Sequence, residues 1–221
     1  MNFNKIFCIY DDYAEVQKEV ANNFIKFLKE NEIEKEKNIF EIGCGTGIFT
    51  QKFILEFYPK KIFLNDIYDV TKYIRKIKYD DFLVGNIEKI AFPKNIDMVI
   101  SSSVFQWIED LPKLIKKISS ETKELCFSIY VQGNLKEIKD YFDIFLNYYS
   151  AYEILEILQK NFKNVKFKEE KITKSFETPL LALKHLKNTG VTGLKKTSIT
   201  KVKSYDKKTL TYCVAYYCCK N

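Results

Sequence analysis

Hydrophobic and polar residues alternate along the chain in patterns that predict a series of helices and strands. Between residues 11 and 29 the apolar positions recur at helical spacing, which predicts an amphipathic helix. Short apolar runs then alternate with helical patterns over about 100 residues. The runs predict strands at 38–42, 61–65, 82–85, 96–101 and 125–131, and the helices between them are expected at 48–57, 70–77 and 111–118. This order is typical of an α/β protein with a Rossmann-like, mostly parallel, doubly wound sheet and helices on both faces.

The remainder of the chain continues the pattern with additional elements. Two helices are expected within 134–160, followed by a strand at 165–176, a helix at 179–187 and a final strand at 210–218. We interpret residues 1–221 as one domain with an N-terminal lid helix at about 8–30. Elaborations at about 133–160 and 176–200 would form a cap over the ends of the strands.

Composition and charge narrow the class of protein. The 221 residues are 46% hydrophobic and 29% charged, as in globular proteins. No apolar run approaches the roughly 20 residues of a membrane helix, and the first residues lack a signal peptide, so we expect a cytoplasmic protein without membrane association. Residues 160–221 contain 15 Lys and 4 acids, a net +11, which leaves −4 for the rest of a chain of net +7. This asymmetry suggests an acidic partner, although a solvated surface in a lysine-rich chain explains it equally well.

Cysteine and histidine usage argues against a metal site. The six cysteines form no C-x-x-C pair, and His185 is the only histidine. A zinc site needs three or four such ligands at suitable spacing, so no metal is expected.

The segment most indicative of function is a glycine-rich turn that follows the first strand and opens a helix. It reads Glu41-Ile42-Gly43-Cys44-Gly45-Thr46-Gly47 and holds three of the seven glycines in the chain. Glycines allow a ligand to approach the backbone closely, and the N–H groups at a helix start favour anionic groups. The spacing is G-x-G-x-G, because Ile48 stands where a dinucleotide motif would need its third glycine. The turn therefore predicts a nucleotide-type ligand other than a dinucleotide.

An acidic residue stands where it can complete such a site. Asp66 ends the second strand, 19 residues after Gly47. A carboxylate at this edge accepts hydrogen bonds strongly and can hold both hydroxyls of a ribose. Its structural alternative is the N-cap of the next helix.

The glycine-rich turn resembles the first motif of class I S-adenosylmethionine-dependent methyltransferases. More narrowly, the chain resembles the malonyl-[acyl-carrier-protein] O-methyltransferases of biotin synthesis from about residue 8 to the end. Four segments are similar to that family: Y-D-D-Y-A-E-V-Q at 10–17, S-S-S-V-F-Q-W at 101–107, L-K-H-L-K-N-T-G-V at 183–191 and L-T-Y at 210–212. The glycine-rich turn is specific only to the superfamily, whereas the Q-W segment and the late helix indicate the narrower family.

The resemblance implies S-adenosylmethionine as cofactor and malonyl-carrying acyl-carrier protein as partner. It implies cofactor contacts from Tyr10, Gln17, Glu41, Gly43, Gly45, Gly47, Asp66, Asn86, Ile87 and Ser101. Gln106 and Trp107 would position the acceptor, and Lys184 and His185 would bind the substrate. The implied reaction methylates the free carboxylate of malonyl-carrier protein to the ester that primes pimeloyl synthesis. A carboxylate is ionised near neutral pH, so no general base is needed and catalysis rests on positioning.

Two residues depart from the family pattern. Asn86 stands where many relatives carry an acid, but it can still hydrogen-bond an adenine amine. Lys184 stands where many carry Arg, and a lysine loses bidentate recognition of a carboxylate. Basic residues near the late helix are expected to meet the acidic carrier, namely Lys184, Lys187, Lys195 and Lys196.

Plainer interpretations of these residues stay open. Tyr10 and Gln17 fit an exposed helix face, Trp107 fits the core, and His185 fits a structural histidine. Two other functions also stay open: a methyltransferase for another small acceptor, and a non-catalytic module that binds a polyanion. Because the late lysines are not interleaved with a stacking platform, nucleic acid is not expected as a partner.

Overall fold

A seven-stranded sheet forms the centre of the protein in the computed structural model, which describes residues 7–144, 146–190 and 198–221. The strands are β1 (Asn38–Ile42), β2 (Lys61–Asp66), β3 (Asp81–Val84), β4 (Met98–Ser102), β5 (Glu124–Tyr130), β6 (Asn164–Ser175) and β7 (Thr209–Lys220). Their spatial order is β3-β2-β1-β4-β5-β7-β6. The first five are parallel, and β7 pairs antiparallel with both β5 and β6. The predicted Rossmann-like α/β class is confirmed.

Eight helices accompany the sheet in the described part of the chain. They are α1 (Phe7–Tyr13), α2 (Glu15–Glu30), α3 (Ile48–Phe57), α4 (Leu111–Glu121), α5 (Lys136–Phe142), α6 (Ala151–Gln159), α7 (Pro179–Asn188) and α8 (Ile199–Lys203), with a 3₁₀ turn at Phe105–Trp107. None of these described helices is long and apolar enough to cross a membrane. Part of the cap expected at 176–200 falls on residues 191–197 and so lies outside the described residues.

Apolar layers cover both faces of the sheet. On one face α2 and α3 pack together, with the rings of Phe24 and Phe49 stacked at 4.9 Å. On the other face α4 and α6 cover Phe127, which stacks on Tyr217 at 4.9 Å. Burial of these rings holds the strands in register, so the loops at the carboxyl edge of the sheet are presented from a rigid base.

Three side chains at helix starts explain where the later helices begin. Asp110 accepts from Lys113 N at the start of α4, and Thr178 accepts from Leu181 N at the start of α7. Ser150 forms a capping box with Glu153 at the start of α6. Such caps satisfy backbone N–H groups that have no partner inside the helix.

Two helix predictions were wrong in detail. The single helix predicted at 11–29 is broken at Ala14, whose ψ of 38° leaves the helical region, so α1 and α2 are separate. The helix predicted at 70–77 is a series of turns, with Tyr73 N bonded to Val70 O at 2.8 Å. Asp69 also accepts hydrogen bonds from the backbone and hydroxyl of Thr71, a local pattern that competes with a helix. The turns still bury the apolar residues that suggested a helix. The short helix α8 was not predicted.

The longest ladder in the sheet joins β6 and β7 over twelve residues, from the pair Asn164 and Lys220 to the pair Ser175 and Thr209. Helices α7 and α8 lie between these two strands in the sequence. This insertion therefore begins and ends at directly paired residues.

Candidate functional site

A cavity of about 380 Å³ lies at the carboxyl edge of the parallel strands. The loops that follow β1, β2, β3 and β4 line it, and α1 and α2 close it from above. The sheet order reverses between β1 and β4, and open α/β sheets bind ligands in the crevice at such a switch point. The volume falls within the range of about 300–1,000 Å³ typical of small-molecule sites.

The glycine-rich turn forms the floor of this cavity at two of its three glycines. Gly43 has a φ of +72°, and a Cβ there would lie 2.4 Å from Val104 Cγ2. Gly45 also lines the cavity, and no described atom lies within 4 Å of where its Cβ would be. Gly47 faces away, because a Cβ there would lie 2.2 Å from Ile77 Cδ1. Gly43 and Gly47 therefore permit close packing, of Val104 and of Ile77 respectively, while Gly45 leaves room for a ligand beside the backbone.

Asp66 ties the glycine-rich turn to the loop after β2. Its Oδ2 accepts from Gly45 N at 3.0 Å, and its Oδ1 accepts from Tyr68 N at 3.0 Å. Burial raises the pKa of Asp66, and these backbone hydrogen bonds oppose the shift. No helix follows among the described residues 67–80, so the N-cap interpretation does not apply. The Ile67 N–H also opposes the shift in the pKa of Asp66, and these three backbone donors leave about one of the roughly four acceptor sites of the carboxylate for a hydroxyl donor.

Glu41 is a buried carboxyl beside the cavity. It is 1% exposed, and its Oε2 has no hydrogen-bond partner among the described residues. Burial raises the pKa of Glu41 to about 8, with repulsion from Asp66 adding to the shift and the Thr50 hydroxyl opposing it. A buried carboxyl in this state favours a ligand that brings a positive charge or a donor.

The N-terminal helices cover the cavity and are fastened to the glycine-rich turn. Tyr10 and Gln17 both line the cavity. The Thr46 hydroxyl donates to Asp11 Oδ1 at 2.6 Å, which connects α1 to the turn. The Gln17 Oε1 is buried without a partner in the described ranges, so it too can accept from a ligand.

The loop after β3 and the end of β4 complete the wall. Asn86 and Ile87 line the cavity, and Asn86 Oδ1 accepts from Glu88 N at 2.9 Å, leaving one lone pair for an amine. Ser101 does not line the cavity. It is fully buried and its hydroxyl donates to Ile42 O at 2.9 Å, so it ties β4 to β1. Its neighbours Ser102, Ser103 and Val104 occupy the wall instead.

A smaller chamber of about 60 Å³ adjoins the cavity. Tyr10, Gln17, Ser103 and Trp107 line both spaces, which makes them neighbours. Gln106 lines the chamber; its Nε2 donates to Ser103 O at 2.6 Å, and its Oε1 has no partner in the described part of the chain. The two residues expected to position an acceptor therefore meet here.

Sequence analysis missed several residues of the chamber. They are Tyr130, Asn134, Tyr148, Thr189 and Tyr212. Position alone could have indicated Tyr130, because it ends β5 at the same edge as Ser102 ends β4. The others come from distant parts of the chain and carry no shared spacing.

The two residues expected to bind substrate lie outside this chamber. His185 is 5% exposed behind its wall, with Nε2 3.1 Å from the Tyr212 hydroxyl. Burial lowers the pKa of His185 to about 4, and the nearby Lys174 adds to the shift, so the ring is neutral near pH 7. Lys184 is exposed on α7 and lines neither of the two spaces described. Within the described ranges no cluster of His, Cys, Asp or Glu is arranged to hold a metal.

Solved structures share this fold. A putative methyltransferase from Bacillus halodurans superposes with a TM-score of 0.67 at 10% identity, covering 90% of this chain and 98% of that one. A phosphoethanolamine N-methyltransferase from Haemonchus contortus, solved with S-adenosylhomocysteine, superposes with a TM-score of 0.59 at 18% identity. The match covers 90% of this chain and 52% of that one. A family model described as a methyltransferase domain matches residues 40–124. The fold and the site thus define a class I, S-adenosylmethionine-dependent methyltransferase.

Two curated relatives narrow the class. A malonyl-[acyl-carrier protein] O-methyltransferase from Calditerrivibrio nitroreducens is 33% identical over 203 residues, which is 90% of this chain and 82% of the relative. Another from Acinetobacter baylyi is 31% identical over 214 residues, 95% and 83% respectively. The chain belongs to the malonyl-[acyl-carrier protein] O-methyltransferase family.

Proposed function

We propose that this protein transfers a methyl group from S-adenosylmethionine to the free carboxylate of malonyl-[acyl-carrier protein], giving the ester that primes pimeloyl synthesis for biotin. The observation that carries methyl transfer is the small chamber beside the larger cavity, with four lining residues in common, because such a pair places a cofactor and an acceptor side by side. The relatives, similar over most of their length, supply the identity of the acceptor.

The residues of the larger cavity fit this cofactor. When bound, S-adenosylmethionine supplies an electrophilic methyl group on a sulfonium sulfur. Gly45 leaves room beside the backbone, Gly43 lines the cavity without a side chain of its own, and Asp66 retains acceptor capacity for a ribose hydroxyl. Asn86 and Ile87 would border the adenine. The unpaired oxygens of Glu41 and Gln17 require donors, and the ammonium group of the cofactor is one.

The chain's part in the reaction is positioning. A malonyl carboxylate is ionised near neutral pH, so none of the residues needs to remove a proton. His185, the lone histidine, is buried and does not line the chamber, so it is not placed to take a proton from the acceptor. Gln106 and Trp107 would hold the acceptor in line with the methyl group, and α1 with α2 would exclude water from above. Orientation of this kind can supply about 7–11 kcal/mol of a reaction barrier.

We further propose a cytoplasmic protein whose single domain carries a lid and a cap. The lid is α1 with α2, and the cap consists of α5, α7 and α8; α6, which was expected in the cap, packs instead with α4 on one face of the sheet. Helix α7 packs against α1, and Thr189 at its end lines the small chamber. Its exposed Lys184 and Lys187 are therefore placed to attract an acidic carrier near the entrance. Lys195 and Lys196, expected to join them, lie outside the described residues.

One incubation tests the proposal. The protein is mixed with methyl-labelled S-adenosylmethionine and either malonyl-carrier protein or acetyl-carrier protein, which lacks the free carboxylate. Label should appear as a base-labile methyl ester on the malonyl-carrier alone. Malonyl-coenzyme A, run alongside, measures how much the carrier contributes. Absence of label on the malonyl-carrier, with transfer to another small acid or ring, would replace the proposed acceptor.

A further inference from the structure

The small chamber has a chemical character of its own. All the described side chains that line it are uncharged, and most of them carry a hydroxyl or an amide. A cavity needs about 10–15 Å³ of accessible volume for each water molecule that it holds. The 60 Å³ of the chamber therefore holds a group of about four to six non-hydrogen atoms. The carboxymethyl end of a malonyl group has four such atoms. The chamber therefore fits a short acidic tail but offers it no formal cation.

Tyr130 presents a hydroxyl that lacks a partner. It ends β5, is 7% exposed, and its hydroxyl makes no hydrogen bond of normal geometry to a described residue. Burial raises the pKa of Tyr130 well above its ordinary value, the neighbouring Tyr10 and Tyr212 add to the shift, and the Ser103 hydroxyl, close enough to interact with the Tyr130 oxygen, opposes it. The group therefore remains protonated and can donate. A buried polar group left without a partner costs about 1–3 kcal/mol, which a ligand would recover.

Tyr148 offers a second donor whose orientation is fixed. Asn134 Nδ2 donates to the Tyr148 oxygen at 2.9 Å, and Asn134 Oδ1 accepts from Cys213 N at 3.3 Å. These two bonds determine which way the amide points. Because the Tyr148 oxygen accepts, its hydrogen can be donated to a ligand. Burial raises the pKa of Tyr148 to about 12, so this hydroxyl also stays protonated.

We propose that Tyr130 and Tyr148 receive the acceptor carboxylate as a pair of neutral hydroxyl donors, with Asn134 as the positioning residue that orients Tyr148. This inference rests on the proposed methylation of malonyl-carrier protein. It assigns the carboxylate to residues other than Lys184 and His185, which lie outside the chamber. Lys184 is then expected to contact the acyl-carrier protein and not the malonyl carboxylate.

Neutral donors suit the charge change in this reaction. A carboxylate oxygen forms a bond to the methyl carbon while the carbon–sulfur bond breaks and its electron pair stays on sulfur. An anion and a cation become two neutral groups, and no proton moves. A fixed cation beside the carboxylate would stabilise the starting state more than the transition state and so would slow the step. Two neutral hydroxyls orient the carboxylate but stabilise the starting state less than a cation would, so they slow the step less.

The test replaces each hydroxyl by hydrogen. In Tyr130→Phe and Tyr148→Phe, kcat/KM for malonyl-carrier protein should fall by about 10- to 100-fold, as expected for losing a hydrogen bond to a charged group. Tyr149→Phe is the matched control, since that neighbouring ring is 37% exposed and does not line the chamber. Affinity for S-adenosylmethionine and the melting temperature should stay near those of the unaltered protein.

A binding measurement separates a carboxylate contact from general damage. Malonyl-pantetheine and acetyl-pantetheine are titrated into protein loaded with S-adenosylhomocysteine. The unaltered protein should prefer the malonyl form, and both variants should lose that preference, whereas damage would weaken both ligands equally. Retained preference and kcat/KM within twofold in both variants would overturn the inference alone. If the unaltered protein fails to methylate malonyl-carrier protein, that result contradicts the proposed function itself, and with it the inference that depends on it.

Discussion

Replacing Glu41 by Gln is expected to stabilise the ligand-free protein near neutral pH. The carboxyl is 1% exposed and one of its oxygens lacks a partner among the described residues. In the unfolded chain it ionises near its ordinary pKa of 4.5, whereas burial raises the folded pKa to about 8. Between these values the unfolded chain has released a proton that the folded protein still holds. Stability therefore falls as pH rises through this window, and the loss is complete only above the folded pKa.

The size of the effect follows from the two pKa values. One pKa unit corresponds to about 1.4 kcal/mol, so Glu41 reduces the free energy of unfolding by about 3 kcal/mol at pH 7 but by only about 1 kcal/mol at pH 5. A glutamine has its own burial cost, which does not vary over this range. The advantage of Glu41→Gln should thus grow by about 2 kcal/mol between pH 5 and 7. For a chain of this length that is about 4–8 °C in melting temperature.

Thermal unfolding of ligand-free protein at pH 5, 6, 7 and 8 measures this growth. Glu109→Gln serves as control, because Glu109 is an exposed carboxylate at the edge of the same cavity. If the difference in melting temperature between Glu41→Gln and the unaltered protein stays constant from pH 5 to 8, the reasoning is refuted. Binding supplies a second check: a cationic cofactor should drive release of nearly one proton at pH 7 from the unaltered protein, and none at this site from the variant.

Three further predictions concern the cofactor, the carrier and the lone histidine. Asp66→Ala should weaken S-adenosylmethionine binding by about 1.5–3 kcal/mol in calorimetry, whereas Asp69→Ala, in the same loop but away from the cavity, should not; equal affinities would remove Asp66 from the site. Activity on malonyl-carrier protein should fall steeply with salt, and Lys184→Glu with Lys187→Glu should reduce it more than activity on malonyl-coenzyme A; equal salt sensitivity for the two substrates would count against a docking face. His185→Asn should keep turnover within about tenfold, with rates nearly flat from mildly acidic to neutral pH, and a loss beyond about a hundredfold with binding intact would contradict a mechanism without a base.

The fold could be predicted because its apolar pattern is regular where the sheet is regular. The parallel strands are short continuous apolar runs, and the helices between them keep one apolar face. The prediction at 70–77 failed because apolar residues at helical spacing are also buried by consecutive turns, and the side chain of Asp69 favours turns. No glycine or proline stands at the break at Ala14, so the local sequence does not predict it.

The cofactor side of the site could be read from local sequence, but the acceptor side could not. Gly43, Gly45 and Asp66 belong to one strand–turn–helix unit and the strand that follows it, so their spacing along the chain fixes their spacing in the fold. The chamber draws Tyr130 and Tyr148 from separate elements and brings them together only through packing. Even within the glycine-rich turn, sequence alone does not show that Gly47 packs on Ile77 while the other two glycines line the cavity.

The long ladder of β6 and β7 has a consequence for how enzymes of this design change their substrates. Residues 176–208 leave and rejoin the sheet at the paired residues Ser175 and Thr209, which lie about 5 Å apart as in any antiparallel pair. An insertion anchored in this way can be lengthened, shortened or exchanged without shifting the register of the core. Exchange of this cassette between homologous enzymes offers a route, in evolution and in the laboratory, to new acceptors on an unchanged cofactor platform.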